Sequence, residues 1–164
     1  MTATVTYTVE TVNGLQPSER RGLAFLLSNN PNDDLNAHEV FNDLSEKASQ
    51  TVRSRFDWWM SGSPPHDQWF HGFPNSDAYC NCFVFKWKER REHHRLYGFL
   101  CHPRPTTNAR FQVCVLASHA TKNEWETDLA ELNSANAWRI NPAVTAAVTM
   151  AYTDGTEAGN RWPN

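Results

Sequence analysis

A segment near the middle of the chain constrains its fold more than any other part. Two runs of β-prone residues, Phe83–Lys88 and Arg95–Leu100, flank a short and very polar connection, which is the pattern of a β-hairpin. Because side chains alternate along a strand, the aromatic residues of the first run point one way, and Lys86 and Lys88 point the other. The segment therefore predicts a sheet with one face packed on a core and with cations, including Arg95, on the opposite, exposed face.

Positive charge is concentrated around this hairpin. Residues 86–110 contain seven Lys or Arg against two Glu, a net charge of +5, whereas the whole chain carries −3 and the remainder therefore −8. This asymmetry is expected of a surface that binds polyanions, with Lys86, Lys88 and Arg95 as a phosphate-binding site. A solvated basic hairpin explains the composition equally well. The basic side chains that would extend a contact to RNA are Arg90, Arg91, His93, His94, Arg104 and Arg110.

The remaining patterns predict helices before an antiparallel meander and one helix after it. The predicted elements are a strand in Thr2–Thr11, a short helix over Glu19–Leu27, a longer helix over Leu35–Trp59, a buried strand over Phe111–Leu116, a helix from Asn123 to about Ala137 and a flexible tail from Thr153. We place the aromatic residues Trp58, Trp59, Trp69 and Phe70 in the core. The order of the predicted helices and strands indicates one α+β domain with its helices on one face of the sheet.

The cysteines and the chain's hydropathy bear on cofactors and location. The sequence has neither a membrane-spanning apolar run nor a signal segment, so we expect a cytoplasmic protein with reduced cysteines. A zinc site needs four converging ligands, usually with two or more residues between paired cysteines, but Cys80 and Cys82 are separated by one. We therefore interpret Cys80, Cys82, Cys101 and Cys114 as small apolar side chains, and we expect no metal and no cofactor.

Together these features resemble the RelE/ParE toxin superfamily, including HigB-like and phage Gp49-like proteins. Its ribosome-dependent members carry Lys-x-Lys on one strand and Arg-Leu at the start of the next, as Lys86-Trp87-Lys88 and Arg95-Leu96 do here. A hydrophobic strand, a small or polar turn with basic residues and an acidic helix then follow, an order that residues 111–116, 117–122 and 124–133 match. The resemblance covers about residues 35–137, with the earlier residues as an N-terminal strand and helix extension. It implies a curved antiparallel sheet with the N-terminal helices on one face.

The resemblance also implies a function. Such proteins are toxins, or derive from toxins, that cleave mRNA on the ribosome by attack of the RNA 2′-hydroxyl, and they pair with an antitoxin. Mutual repulsion between Lys86 and Lys88 would lower a lysine pKa toward a useful range, and Arg95 would hold the scissile phosphate with two hydrogen bonds. Lys122 or His119, expected in the loop after the last strand, would supply a second charge or the leaving-group proton.

Two other classes of function remain open. A non-catalytic member of the same fold would poison gyrase, or would act as a phage or host accessory protein that only binds a partner, and the acidic remainder of the chain favours this class. A zinc-stabilised nucleic-acid-binding module is the other. The alternative to a catalytic role for Lys86 and Lys88 is that they are solvent-facing residues of a strand, where they would protect a sheet edge from pairing.

Overall fold

The predicted hairpin is part of a six-stranded sheet in the computed structural model, which describes residues 4–122 and 129–152. The strands are β1 (Tyr7–Thr11), β2 (Arg21–Ser28), β3 (Phe70–Gly72), β4 (Cys82–Glu89), β5 (Glu92–Cys101) and β6 (Gln112–Lys122). They lie in the order β1-β2-β6-β5-β4-β3. Strands β2 and β6 are parallel, and every other neighbouring pair is antiparallel.

Helices cover both faces of this sheet. Those in the described residues are α1 (Ala37–Asn42), α2 (Glu46–Met60), α3 (Leu129–Ile140) and α4 (Pro142–Tyr152). Helices α1 and α2 share a buried cluster with Phe83 and Phe85 of β4, whereas α3 packs on Cys82 and Val84 of the same strand. Adjacent strand residues face opposite ways, so α3 lies on the face opposite α1 and α2. The mixed α+β architecture is confirmed, but helices on a single face and a wholly antiparallel sheet do not describe the fold.

Residues 21–28 form strand β2, so the short helix predicted over Glu19–Leu27 is wrong. Phe25 of this strand packs against α1 and α2, while Leu26 packs against α4. Because β2 lies between β1 and β6 and is covered on both faces, its residues form a continuous apolar run. Such a run has no alternation to distinguish a buried strand from a helix.

The long helix predicted over Leu35–Trp59 is two helices with a break between Asn42 and Glu46. Ser45 begins the second helix, because its hydroxyl accepts a hydrogen bond from the Ala48 amide at 3.2 Å. The helix ends at Met60, and Gly62 follows in the left-handed conformation (φ +91°) that closes many helices. Trp58 on this helix is 38% exposed, which corrects its assignment to the core.

The C-terminal part differs from the prediction in extent. Residues 123–128 of the predicted helix and the tail from Thr153 lie outside the described residues; α3 covers Leu129–Ile140 and continues beyond Ala137. No helix was predicted from the sequence in the region of α4, although Asn141 and Pro142 are a typical helix start. The Asn141 side chain accepts a hydrogen bond from the Ala143 amide at 2.9 Å. In the part of the chain that is described, no helix is long and apolar enough to span a bilayer.

A β-bulge interrupts the pairing of β5 and β6. Tyr97 pairs with Ser118 but Gly98 pairs with Leu116, so Ala117 is an extra residue on β6. A Cβ atom on Gly98 would lie 2.2 Å from the carbonyl oxygen of Val115, so only glycine fits where the two strands approach. The bulge shifts the alternation of β6 by one residue, and every side chain beyond it changes face.

Candidate phosphate-binding site

The strand register brings five basic side chains to one face of the sheet. Lys86 pairs with Arg95, and Lys88 pairs with His93, which in turn pairs with Lys122 of β6. Directly opposed residues have Cβ atoms about 4.5–5.5 Å apart and point the same way. We call these five residues, at the hairpin end of the sheet, the cationic face.

The opposite face of the same strands is closed by α2. Phe83, Phe85 and Trp87 are buried there, and the ring of Phe85 lies 4.9 Å from that of Phe56 on α2. Lys86, Lys88 and Arg95 therefore share a face turned away from α2, as the alternation predicts. This packing fixes the backbone that carries the cations.

The cations differ in exposure. Lys88 is exposed and Lys86 is half-buried, whereas Arg95 is only 6% exposed, which corrects the expectation that all three are exposed. Lys86 Nζ donates to the Asp67 carbonyl oxygen at 2.9 Å, and Arg95 Nη1 donates to the Tyr97 hydroxyl at 3.4 Å. Burial, and secondly the neighbouring Arg95 charge, lower the pKa of Lys86. A lysine with a lowered pKa is a better proton acceptor near neutral pH.

A cleft of about 270 Å³ opens beside these residues. Its described lining includes four Lys or Arg against one acidic residue, so the cleft suits an anion. The lining residues are Arg55, Asp67, Gln68, Trp69, Lys86, Trp87, Lys88, His93, His94 and Arg95. Arg95 thus reaches the cleft despite its burial.

Five of these lining residues were not predicted as site residues from the sequence: Trp87, Arg55, Asp67, Gln68 and Trp69. Trp87 belongs to β4 and Arg55 to α2, and the other three lie in a turn-rich segment without periodicity. The Lys86 amide donates to the Trp69 carbonyl oxygen at 2.8 Å, which holds that segment against β4. No local pattern signals this contact, because it depends on the pairing of β3 with β4.

His119 lies on the wrong face for its predicted role. It pairs with Leu96 in β6, not in a loop, and its ring contacts Trp87 on the face covered by α1 and α2. His94 lies there too, with Nδ1 3.0 Å from His119 Nε2 and its ring stacked on Trp87 at 5.0 Å. The bulge at Ala117 is the physical reason, because without it His119 would face the cations. Lys122, also predicted in a loop, lies in β6 on the cationic face.

The hairpin connection is shorter than predicted. His93 and His94 are strand residues, and the turn consists of Arg90 and Arg91 alone. Both arginines have positive φ, 50° and 69°, as a two-residue hairpin turn of type I′ requires. Asn-Gly is the usual pair in such turns, so two arginines there are strained.

Arg104 and Arg110 lie at the other end of the sheet. The ten residues of β5 separate the hairpin turn from the Arg104 segment by about 30 Å. Arg104 stacks 4.4 Å from the centre of the Phe111 ring and donates to the Tyr152 carbonyl oxygen. The +5 segment of the sequence is therefore not one surface, and these two arginines do not join the cationic face.

All four cysteines are free thiols, and Cys80 is exposed. Cys82 and Cys101 are buried on one face of the sheet, and Cys114 is buried on the other. Burial raises the pKa of Cys82 to about 11, so its thiol is protonated at neutral pH. Within the described ranges, no group of three or more His, Cys, Asp or Glu could hold a metal ion.

Comparisons of this chain with protein families, with curated proteins and with solved structures found no match.

Proposed function

We propose that this chain is a RelE-like toxin or toxin-derived protein that cleaves mRNA at the cationic face, in dependence on the ribosome. The observation that carries the proposal is the register of Lys86, Lys88 and Arg95 on one face beside an anion-suited cleft. The resemblance of the Lys-x-Lys and Arg-Leu motifs to ribosome-dependent toxins suggests the ribosome as the place of action and an antitoxin as a partner.

In the proposed reaction the RNA 2′-hydroxyl attacks the neighbouring phosphorus. Lys86 takes the 2′-hydroxyl proton, which its lowered pKa favours, as the bond from O2′ to phosphorus forms. Arg95 and Lys88 hold the phosphate oxygens and stabilise the charge that develops there. The bond from phosphorus to O5′ breaks, and that oxygen takes a proton from the His93 ring. The products carry a 2′,3′-cyclic phosphate and a 5′-hydroxyl.

The proton donor differs from the one predicted on sequence alone. His93 replaces His119 as the proton donor, because His93 pairs with Lys88 on the cationic face and His119 is on the other face. Lys122, opposite His93 in the register, supplies a second charge near the leaving group. Arg90 and Arg91 at the turn extend the contact to the RNA backbone, to which cations contribute affinity without reading sequence.

The test is a reconstituted translation reaction with one defined mRNA, in which cleavage sites and end groups are mapped with and without ribosomes. The wild type should cleave in the presence of ribosomes and leave 5′-hydroxyl ends. The Lys86→Gln, Lys88→Ala, Arg95→Lys triple variant should be at least about a hundredfold slower. Arg110→Ala, which removes an exposed cation from the far end of the sheet, is the matched control and should cleave normally. A triple variant as active as the wild type would falsify the assignment.

A second candidate is a non-catalytic relative that binds a partner, such as gyrase, a phage protein or a host protein. The observation that favours it is the structural use of the central cations, since Lys86 donates to the Asp67 carbonyl and buried Arg95 to Tyr97. Expression of the wild type in a bacterium separates the two. Replication arrest with intact mRNA selects the binding protein, whereas translation arrest with cut mRNA selects the nuclease. A small antitoxin-like neighbouring gene would favour a toxin of either kind.

A further inference from the structure

Three ring side chains are in contact at the border of the cleft. The imidazole of His66 lies on the indole of Trp69, with centroids 4.0 Å apart and planes 14° from parallel. Trp58 contacts Trp69 with a centroid separation of 4.6 Å. We call His66, Trp69 and Trp58 the aromatic ledge.

The ledge and the cationic cleft share residues. Trp69 itself lines the cleft, as does Arg55, whose guanidinium lies 5.1 Å from the Trp69 ring centre and 5.4 Å from that of Trp58. Arg55 Nε is buried and has no hydrogen-bond partner. Stacking against two indoles instead holds this arginine at the junction between the rings and Lys86. A ligand whose anionic group entered the cleft would therefore also meet flat apolar surface.

The ledge is exposed where the neighbouring aromatic residues are not. Trp59 is 3% and Phe70 is 1% exposed, in the core against β4. By contrast Trp58 is 38% exposed and His66 is exposed, whereas Trp69 between them is partly buried against the core. Packing of the core does not account for the exposure of Trp58 and His66 to solvent beside the four cations of the cleft.

We propose that the ledge stacks an unpaired base of a single-stranded RNA whose adjacent phosphate lies in the cationic cleft. This inference rests on the proposed function and adds the form of the substrate. A nucleic acid is the partner that combines repeated negative charge with flat rings, and its bases are free to stack only where they are unpaired. The outer face of His66 and the exposed face of Trp58 are the contact surfaces.

The experiment measures binding by the full chain of two polyanions, of which only one has bases. One is 2′-O-methyl octauridylate, which cannot be cleaved by 2′-hydroxyl attack, and the other is inorganic polyphosphate of about the same number of phosphates. The wild type should bind both anions. His66→Ala and Trp58→Leu should each weaken oligonucleotide binding about tenfold and leave polyphosphate binding unchanged. Trp138→Leu is the matched control, because Trp138 is a partly exposed helical tryptophan that packs on Tyr7 at the β1 edge.

Each result separates the ledge from the phosphate site. If the ledge variants weaken binding of neither anion, or weaken binding of both alike, the stacking proposal is wrong and the phosphate site stands. The same holds if duplex RNA binds as tightly as the single strand. The Lys86→Gln, Lys88→Ala double variant tests the phosphate site. If it binds both anions as tightly as the wild type, or if the wild type binds neither, the proposed function and the stacking proposal are both wrong.

Discussion

The two faces of the β4–β5 hairpin use alternate residues of the same strands for opposite purposes. On one face, which we call the sealed face, Phe83, Phe85 and Trp87 are buried beneath α2. On the other face Lys86 and Lys88 border a polar cleft. Burial of the large rings stabilises the two strands. The strands in turn hold the positive charges of the other face close together, although these charges repel one another. Within one hairpin, therefore, stability and charge presentation reside on different faces and can be changed separately.

The largest expected effect concerns the sealed face. Phe85→Ala removes a fully buried ring that contacts Phe56, Trp59 and Phe70, and should lower the free energy of unfolding by about 3–5 kcal/mol. Lys88→Ala, three residues on and exposed, should change it by less than about 0.5 kcal/mol. Urea denaturation of both variants checks the contrast. Equal losses would show that the two faces do not divide stability and charge.

The next effect concerns two histidines that the bulge separates. His93→Ala, on the cationic face, should slow RNA cleavage about a hundredfold because it removes the proposed proton donor. His119→Ala, on the other face, should leave the cleavage rate within a few-fold of wild type. Single-turnover cleavage of a defined mRNA on ribosomes gives both rates. The reverse order would return the proton donor to His119 and exclude His93.

A smaller effect is expected at the hairpin turn. Replacing Arg90-Arg91 by Asn-Gly relieves two residues held at positive φ, and should raise the free energy of unfolding by about 1 kcal/mol. The same change should weaken binding of inorganic polyphosphate, because two cations are lost. Arg110→Asn, an exposed position outside the turn, should not stabilise the protein. A turn variant that is no more stable would mean that the two arginines are not strained.

The smallest expected effect is a pH dependence on the sealed face. Burial and the nearby His94 lower the pKa of His119 from its usual 6.5, although Glu92 opposes the shift. The unfolded chain therefore binds more protons, so stability is full above about pH 6.5 and falls as the pH drops toward the lowered pKa. Urea midpoints at about pH 7.5 and about pH 5 should differ less in His119→Gln than in wild type. An equal difference would show that His119 does not contribute.

Local sequence was sufficient for the two strands of the hairpin, although not for the length of its turn. Alternation within a strand follows from covalent geometry, so the pattern around Lys86 and Lys88 gave the strand type, the buried rings and the facing of the cations. The strand at Phe111–Leu116 was found for a similar reason, since a short apolar run bounded by turn signals favours a buried strand. The helix predicted over Glu19–Leu27 failed where that signal is ambiguous, because only the neighbours of β2 decide that both its faces are covered.

The composition of the site was decided by tertiary structure. Which face His119 and Lys122 occupy depends on one extra residue at Ala117, whose placement requires the register of β6 against β5. Likewise Arg55 and Trp69 reach the cleft through helix packing and strand pairing across the molecule. The sequence by itself determined the alternation of side chains within each strand, since covalent geometry is local. The alignment of one strand with the next was determined by the folded chain, because register is set by contacts between residues far apart in sequence.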